Sequence, residues 1–177
     1  GTGATVGKLC GPDYMMKSGL GAYAVQVGDL QVGAVVSVNA VGDVLDEQGQ
    51  ILAGMRSRDG QGFADTRRVM LAEAGQTPTL FSQRAVGTTT NTTIGAVVTN
   101  GRFDKAQLQK IAALGSNGIV RAIRPVNTRA DGDSLYAASV GSVSAELSLT
   151  GTIAAYVVEK AIRRAVCQAE SLYGVPA

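Results

Sequence analysis

The stretch TTTNTTIGAVVTN, residues 88–100, sets Asn91 among five threonines and then runs directly into an apolar segment. The β-branched residues of Ile94–Thr99 favour a strand, and asparagine favours a turn. The pattern therefore predicts a buried strand over Ile94–Thr99 with Asn91 and Thr92 at its head. On composition alone, a threonine-rich turn before a strand accounts for these residues.

The residues before this stretch predict a hairpin and a long connection. Ala22–Val27 and Val32–Val38 are rich in β-branched residues and lie between glycine turns, which predicts two paired strands. Residues 56–90 are polar and charged without a sustained period, and predict a long loop with one helical turn at Arg67–Glu73. A loop of this length inside a domain is typically functional or a linker.

The residues after it predict helices that alternate with strands. Residues 103–118 predict a helix that Asp104 caps and Gly115 ends, followed by a short helix over Gly118–Ile123 that Pro125 stops. Ser134–Val140 is a further predicted strand, and a last helix is predicted from Thr152 to about Tyr173. Strands separated by helices indicate a layered α/β domain over residues 1–177.

Composition narrows the classes of function. The 177 residues are 45% apolar and 17% charged with a net charge of +2, which is typical of a globular protein and does not indicate nucleic-acid binding. No apolar run approaches the ~18 residues of a membrane helix. Cys10 and Cys167 are far apart and lack C-x-x-C spacing, so neither a disulfide framework nor a zinc site is indicated. We expect a cytoplasmic protein without metal.

The glycine-rich start, GTGATVGKL, resembles a phosphate-binding loop but departs from both common patterns. Thr2 and Leu9 occupy positions where the P-loop needs glycine and Ser or Thr, and Val6 replaces the last glycine of the dinucleotide fingerprint. The stretch predicts a tight turn at which Lys8 is either a solvated lysine or a functional one.

The absence of histidine excludes Ser-His-Asp and Cys-His catalysis. A threonine hydroxyl then needs a lysine, a carboxylate or its own α-amine as base, and the α-amine exists only if Thr92 becomes a chain terminus. Cleavage between Asn91 and Thr92, by attack of the Thr92 hydroxyl on the Asn91 carbonyl, would create that terminus. An α-amine has a pKa near ~7.7–8.0 and can act as a general base near neutral pH.

Four motifs resemble one family in their order along the chain: GTGATVGKL, VGAVVSVNAVGDV, NTTIGAVVTN and GIVRAIRPVNTRADGDSLYAASVG. The family is that of the self-processing N-terminal-nucleophile amidohydrolases, which includes the L-aminopeptidase/D-esterases, the β-peptidyl aminopeptidases and the nylon-oligomer hydrolases. The resemblance implies a four-layer α/β/β/α sandwich that divides into segments 1–91 and 92–177, with 56–90 as linker. The threonine and the aspartate pair resemble the nylon-oligomer hydrolases most.

The resemblance also implies a role for each site residue. Thr92 would be the nucleophile, Asn39 would donate to the oxyanion, and Lys8 would lie beside the nucleophile. Asp131 and Asp133 would hold the Thr92 ammonium or hydroxyl, or bind a substrate amine. Taken singly, Asn39 and the D-G-D turn are better explained as structural features, but together with Lys8 they form the polar set that an amidase without histidine needs.

Two features depart from the family pattern. A histidine expected two residues after Pro125 is replaced by Asn127. The chain also begins inside the glycine-rich motif, so we expect it to lack an N-terminal segment, either as a fragment or as a shortened relative.

The activity expected from the resemblance is hydrolysis of small amides, short peptides or linear amide oligomers through an acyl-enzyme, without a metal or an organic cofactor. A homo-oligomer such as a tetramer is expected. An acyltransferase and a non-catalytic structural homologue remain as alternatives.

Overall fold

The computed structural model describes residues 1–79, 81–85 and 91–177, with the backbone alone for 84 and 85. The predicted end of the linker, including Thr88–Thr90, therefore lies outside the described residues. The strands are β1 (Thr5–Val6), β2 (Met16–Lys17), β3 (Leu20–Val27), β4 (Leu30–Ser37), β5 (Asp43–Leu45), β6 (Ile51–Ala53), β7 (Ile94–Gly101), β8 (Ile123–Arg124) and β9 (Ser134–Val143). The helices are α1 (Thr66–Ala72), α2 (Lys105–Ala122) and α3 (Leu147–Cys167), with a π-helical turn at Phe81–Ala85.

The largest sheet has the order β3-β4-β7-β9. The predicted hairpin is present as β3 and β4, which pair antiparallel from Leu20 with Ser37 to Val27 with Leu30. Strand β7 pairs antiparallel with β4 and parallel with β9. A parallel pair needs a crossover, and α2 provides it between β7 and β9.

Helices α2 and α3 cover one face of this sheet. Glycines allow α2 to pack closely on α3, and α3 to pack closely on β3. A Cβ on Gly118 would lie 2.2 Å from the Ala155 carbonyl oxygen of α3, and one on Gly21 of β3 would lie 1.9 Å from the Ala161 carbonyl oxygen. The core between the helices and the sheet includes Val32, Val36, Val97, Ile111, Ile119, Val157, Val158 and Ile162. Burial of each such side chain contributes roughly 1.5–3 kcal/mol relative to exposure.

The opposite face of the sheet carries apolar side chains that none of the described residues covers. Its exposed members are Leu20, Val35, Ile94, Val98, Tyr136 and Val140. The strand predicted over Ile94–Thr99 is present as β7, but it is buried on one face only, because the other face of the sheet is not packed. The described residues contain a sheet and one helical layer of the expected sandwich.

Two small sheets hold the start of the chain. β1 pairs with β2, and β5 lies between β6 and β8. Gly7 has a φ of 70° and lies at the predicted glycine turn. Its N–H donates to the Gly42 carbonyl oxygen at 3.0 Å, and the Lys8 N–H donates to the Val41 carbonyl oxygen at 3.0 Å.

The helix boundaries correct three predictions. α2 begins after the predicted cap Asp104, which forms a capping box with Gln107, but it continues through Gly115 and Gly118 to Ala122 as one helix. Both glycines are buried where neighbouring side chains and α3 pack, so contact rather than termination explains them. The predicted break into two helices is wrong.

The last helix begins at Leu147, five residues before the prediction, because the Glu146 side chain accepts from the N–H groups of Ser148 and Leu149. It ends at Cys167, well before Tyr173. The segment that follows instead forms a turn in which Leu172 and Val175 exchange backbone hydrogen bonds at 3.0 Å. In the predicted loop, the helical segment predicted at Arg67–Glu73 is present as α1, which begins and ends one residue earlier. No helix within the described ranges is long and apolar enough to cross a membrane.

Candidate active site

The predicted site residues meet at one edge of the main sheet. Asn39 follows the end of β4, Thr92 precedes the start of β7, and Asp131 and Asp133 precede the start of β9. Because β7 runs parallel to β9 and antiparallel to β4, these three points are neighbours. Lys8 joins them from the turn after β1 through its side-chain hydrogen bond to Asn39.

Thr92 is held on both sides of its backbone. Its N–H donates to the Asn39 carbonyl oxygen at 2.8 Å. Its hydroxyl donates to the carbonyl oxygen of Asn91 at 2.7 Å. The hydroxyl oxygen thus lies beside the peptide bond whose cleavage would expose the Thr92 amine.

The Asn91 carbonyl oxygen has a second donor that the sequence did not reveal. The Gly132 N–H donates to it at 2.8 Å. A Cβ on Gly132 would lie 2.9 Å from the Thr92 hydroxyl oxygen, so the position accommodates glycine and crowds any larger residue. A backbone N–H aimed at a carbonyl oxygen can stabilise the negative charge that develops there during attack on the carbonyl carbon.

Lys8 and Asn39 form the polar contact on the other side of Thr92. The Lys8 ammonium donates to Asn39 Oδ1 at 2.5 Å and approaches the Asn39 carbonyl oxygen at 3.4 Å. The N–H of Thr5 also donates to Asn39 Oδ1, at 3.2 Å. Since Oδ1 is the acceptor, Nδ2 is the donor end of the amide, which is the end that the oxyanion role requires.

Asp133 is hydrogen-bonded to the residue after Thr92, and Asp131 to a threonine of its own loop. Asp133 Oδ1 accepts from the Thr93 N–H at 2.6 Å, and Oδ2 accepts from the Asn127 N–H at 3.2 Å. Asp131 Oδ2 accepts from the N–H and hydroxyl of Thr128, at 2.9 and 2.5 Å. The other oxygen, Asp131 Oδ1, is buried without a hydrogen-bond partner among the described residues.

Burial shifts the acid–base properties of the site. It lowers the pKa of Lys8 from 10.5 to about 8, and the negative charge of Asp131 opposes part of that shift. Burial also raises the pKa of the Asp133 carboxyl; the Thr93 N–H opposes this shift and the Asp131 charge adds to it. A lysine with a pKa near 8 is partly neutral at physiological pH and can accept a proton.

Asn127, which stands where the family pattern has histidine, contributes backbone rather than side chain to the described contacts of Asp133. It has a φ of 55°, a left-handed conformation that asparagine tolerates better than most residues. In the described part of the chain, no cluster of three His, Cys, Asp or Glu residues is arranged to hold a metal ion.

The sequence comparisons bear on this arrangement. The sequence model of peptidase family S58 matches residues 1–176. The chain belongs to peptidase family S58. An uncharacterized aminopeptidase of Mycobacterium leprae is 30% identical in an alignment of 190 positions that covers 98% of this chain and 50% of the relative. A 6-aminohexanoate-oligomer endohydrolase of Kocuria sp. is 30% identical in an alignment of 178 positions that covers 96% of this chain and 48% of that enzyme. The S58 chain therefore spans about half the length of these relatives.

Solved structures establish the fold. The L-aminopeptidase D-Ala-esterase/amidase of Ochrobactrum anthropi, described as a variant of the Ntn hydrolase fold, superposes with a TM-score of 0.57 at 21% identity and covers 97% of this chain and 47% of that chain. A Pyrococcus horikoshii protein gives 0.52 at 17% identity, with 90% of this chain and 42% of that chain covered. The S58 chain thus has a mixed α/β fold of the Ntn hydrolase type. The predicted fold class and the family resemblance are both confirmed.

Proposed function

We propose that this chain is the self-cleaving, catalytic part of an amide-bond hydrolase with Thr92 as its N-terminal nucleophile. The observation that carries the proposal is the contact of the Thr92 hydroxyl with the Asn91 carbonyl oxygen, which the Gly132 N–H also contacts. Membership of a peptidase family, and the names of the relatives as aminopeptidases and an oligomer endohydrolase, support amide hydrolysis as the reaction class.

Self-cleavage would begin at the hydroxyl of Thr92. Lys8 in its neutral form takes the hydroxyl proton, and about a tenth of the lysine is neutral at pH 7 if its pKa is about 8. The hydroxyl oxygen then bonds to the Asn91 carbonyl carbon, and the Gly132 N–H stabilises the oxyanion. The C–N bond breaks, the nitrogen takes up a proton, and the resulting ester links Asn91 to the Thr92 oxygen.

Water would then hydrolyse the ester, leaving a carboxylate on Asn91 and returning the hydroxyl to Thr92, whose amine became free when the C–N bond broke. The hydrogen bond from the Thr92 nitrogen to the Asn39 carbonyl oxygen keeps the new amine in position. Lys8 donates to the same oxygen, so its positive charge would lie close to this amine and disfavour a second positive charge there. A less basic amine is more often neutral, which suits a general base.

Turnover would repeat this chemistry on an external amide. The Thr92 amine accepts the hydroxyl proton, the hydroxyl oxygen attacks the substrate carbonyl, and Asn39 Nδ2 donates to the oxyanion. The leaving amine departs with a proton, and water releases the acid product from the acyl-enzyme. Asp131 Oδ1 lies in the D-G-D turn without a hydrogen-bond partner among the described residues, and we assign it the pairing with a substrate ammonium. Small amides, short peptides with a free amino end and linear amide oligomers fit this proposal.

The test is an assay of the purified, cleaved protein with amino acid amides, amino acid p-nitroanilides and 6-aminohexanoate oligomers. We expect release of acid and amine products from at least one substrate class, and none from Thr92→Ala protein that retains the native circular dichroism spectrum. Equal product release by wild-type and Thr92→Ala protein would remove Thr92 from the chemistry. A cleaved wild-type protein that is inactive on all classes would favour a non-catalytic role.

A further inference from the structure

Asp43 is a buried carboxylate that the proposed chemistry does not use. It begins β5 and is 1% exposed. Oδ1 accepts from the Met55 N–H at 2.8 Å and from the Thr66 hydroxyl at 2.7 Å, and Oδ2 accepts from the Thr66 N–H at 2.7 Å. These hydrogen bonds stabilise the charged form, although burial and, to a smaller extent, Asp65 raise the pKa of the Asp43 carboxyl.

The Asp43 carboxylate fixes the peptide that joins Gly54 to Met55. A Cβ on Gly54 would lie 2.3 Å from Asp43 Oδ1, so glycine is what permits the close approach of the carboxylate. The Met55 N–H of the same peptide donates to the carboxylate. The 54–55 peptide is therefore held from one side by a charged, buried acceptor.

The other side of this peptide supports the turn that carries Lys8. A Cβ on Gly7 would lie 2.0 Å from the Met55 nitrogen and 2.2 Å from the Gly54 carbonyl carbon. The backbone at Gly7 thus rests directly on the peptide that Asp43 holds. Opposite it, the N–H groups of Gly7 and Lys8 donate to the carbonyl oxygens of Gly42 and Val41, immediately before Asp43 in the chain.

We propose that Asp43 is a positioning residue for Lys8, acting through the Gly54–Met55 peptide and the Gly7 turn. Asp43 contacts neither Thr92 nor Lys8 in the described hydrogen bonds, so its effect is indirect. Without the carboxylate, the Gly54–Met55 peptide is held less firmly, and so is the Gly7 turn that packs on it. The Lys8 ammonium then no longer keeps its hydrogen bond to Asn39 Oδ1. This inference rests on the proposed function only for its effect on rate.

The test compares Asp43→Asn with a matched control, Thr66→Val. Asparagine replaces one acceptor oxygen by a donor and removes the charge. The carboxylate that accepts from the Met55 N–H, and so holds the Gly54–Met55 peptide, is therefore lost. Valine removes the Thr66 hydroxyl from the same carboxylate while leaving the Met55 hydrogen bond in place. Thr66 is fully buried, so the control also perturbs the core.

Two measurements report on the position and environment of Lys8. The first is the pH dependence of Lys8 acetylation by trace acetic anhydride, measured by peptide mass spectrometry in a Thr92→Ala background with exposed Lys110 as internal reference. The charged group that acts on Lys8 from the facing loop is Asp131, and it is unchanged in all variants. The second is the rate of cleavage between Asn91 and Thr92 in the chain that retains Thr92.

For Asp43→Asn we expect the midpoint of Lys8 acetylation to move upward by about one pH unit as the lysine becomes more hydrated. Self-cleavage should slow by roughly 100-fold, the cost of a displacement near 1 Å. Thr66→Val should lower the melting temperature but leave the Lys8 midpoint and the cleavage rate within about two-fold of wild type.

The proposal would be overturned if Lys8 acetylation had the same pH midpoint in wild-type protein and in Asp43→Asn protein with a native circular dichroism spectrum. It would also be overturned if Asp43→Asn and Thr66→Val shifted this midpoint equally. If Asp43→Asn does not fold, Gly54→Ala pushes the carboxylate away directly and must produce the same upward shift. The acetylation readout needs no activity, so it decides the role of Asp43 even if the protein neither cleaves itself nor hydrolyses amides.

Discussion

The backbone nitrogen of Thr92 and the side-chain nitrogen of Lys8 point to one atom, the carbonyl oxygen of Asn39, at 2.8 and 3.4 Å. This shared acceptor brings a lysine of lowered pKa next to the residue that would become a chain terminus. Before cleavage the Thr92 amine does not exist, so Lys8 is the base that the account assigns to self-cleavage. In a cleaved protein, the two nitrogens would lie close enough for the charge of each to affect the protonation of the other.

The pH dependence of self-cleavage tests the role of Lys8. Its pKa is lowered from 10.5 to about 8, so the neutral, proton-accepting form increases as pH rises through that value. We expect the cleavage rate to rise between about pH 6 and pH 8 and then level off. Lys8→Arg, which stays charged, should abolish the rise, whereas Lys110→Arg on the exposed face of α2 should retain it. A wild-type rate that is flat over this range would exclude Lys8 as the base.

The same pKa shift predicts a change in stability with pH. The folded-state pKa of Lys8 is below its unfolded value, so between about pH 8 and pH 10.5 the unfolded chain binds the extra proton and the free energy of unfolding rises with pH. After allowance for solvent screening, the gain is on the order of 2 kcal/mol. Urea unfolding of Thr92→Ala protein at several pH values should show it relative to Thr92→Ala/Lys8→Met. Identical pH slopes in the two proteins would contradict it.

Gly132 is predicted to be needed for self-cleavage. Alanine there would place its Cβ 2.9 Å from the Thr92 hydroxyl oxygen and displace the hydroxyl from the Asn91 carbonyl. We expect Gly132→Ala to slow cleavage by roughly 10- to 100-fold with little change in thermal stability. Gly3→Ala is the control, because no atom lies within 4 Å of the Cβ that it adds. Cleavage of Gly132→Ala at the wild-type rate would show that the hydroxyl position is not critical.

Asn39 can be tested with two variants that separate its donor from its acceptor. Asn39→Asp keeps an acceptor for the Lys8 ammonium but loses the amide donor, and Asn39→Ala loses both. If the amide stabilises the oxyanion, both should lower kcat of amide hydrolysis by ~10²–10³-fold. Full kcat in Asn39→Asp, measured on protein cleaved to completion, would assign Asn39 to the positioning of Lys8 alone.

The packing of α2 on α3 gives a prediction about stability. Alanine at Gly118 would place its Cβ 2.2 Å from the Ala155 carbonyl oxygen and force the helices apart. We expect a loss of about 1–3 kcal/mol in the free energy of unfolding, the usual cost of overpacking. Gln109→Ala, on the exposed part of the same helix, is the control, and urea unfolding measures both. A Gly118→Ala protein as stable as the control would contradict the close contact.

The behaviour of glycine explains much of what sequence could and could not predict. At Gly7, a positive φ agrees with the predicted turn. At Gly115 and Gly118, the local preference of glycine for helix ends was overridden by the approach of neighbouring chain, which depends on tertiary packing that no local pattern records. The N-cap Asp104 was predictable because its capping box with Gln107 is local in sequence.

The site was predictable to a similar extent. Thr92, Asn39 and Lys8 lie in motifs, and the structure joins them through hydrogen bonds at the sheet edge. Gly132 was not predicted, because a backbone N–H makes its contact with the Asn91 carbonyl oxygen, whereas the pattern of the D-G-D turn indicates only its carboxylates. The glycine itself was the available signal, since a glycine between two functional side chains indicates close approach of the backbone. The role of Asp43 could not be predicted from local sequence either, because its hydrogen-bond partners are 12 and 23 residues away along the chain.

The most direct test of self-cleavage is the intact mass of the purified protein under denaturing conditions. The account predicts two fragments, residues 1–91 and 92–177, in wild-type protein, with Thr92→Ser also cleaved and Thr92→Ala remaining one chain. A single uncut wild-type chain after prolonged incubation at about pH 8, where a useful fraction of Lys8 is neutral, would contradict the account.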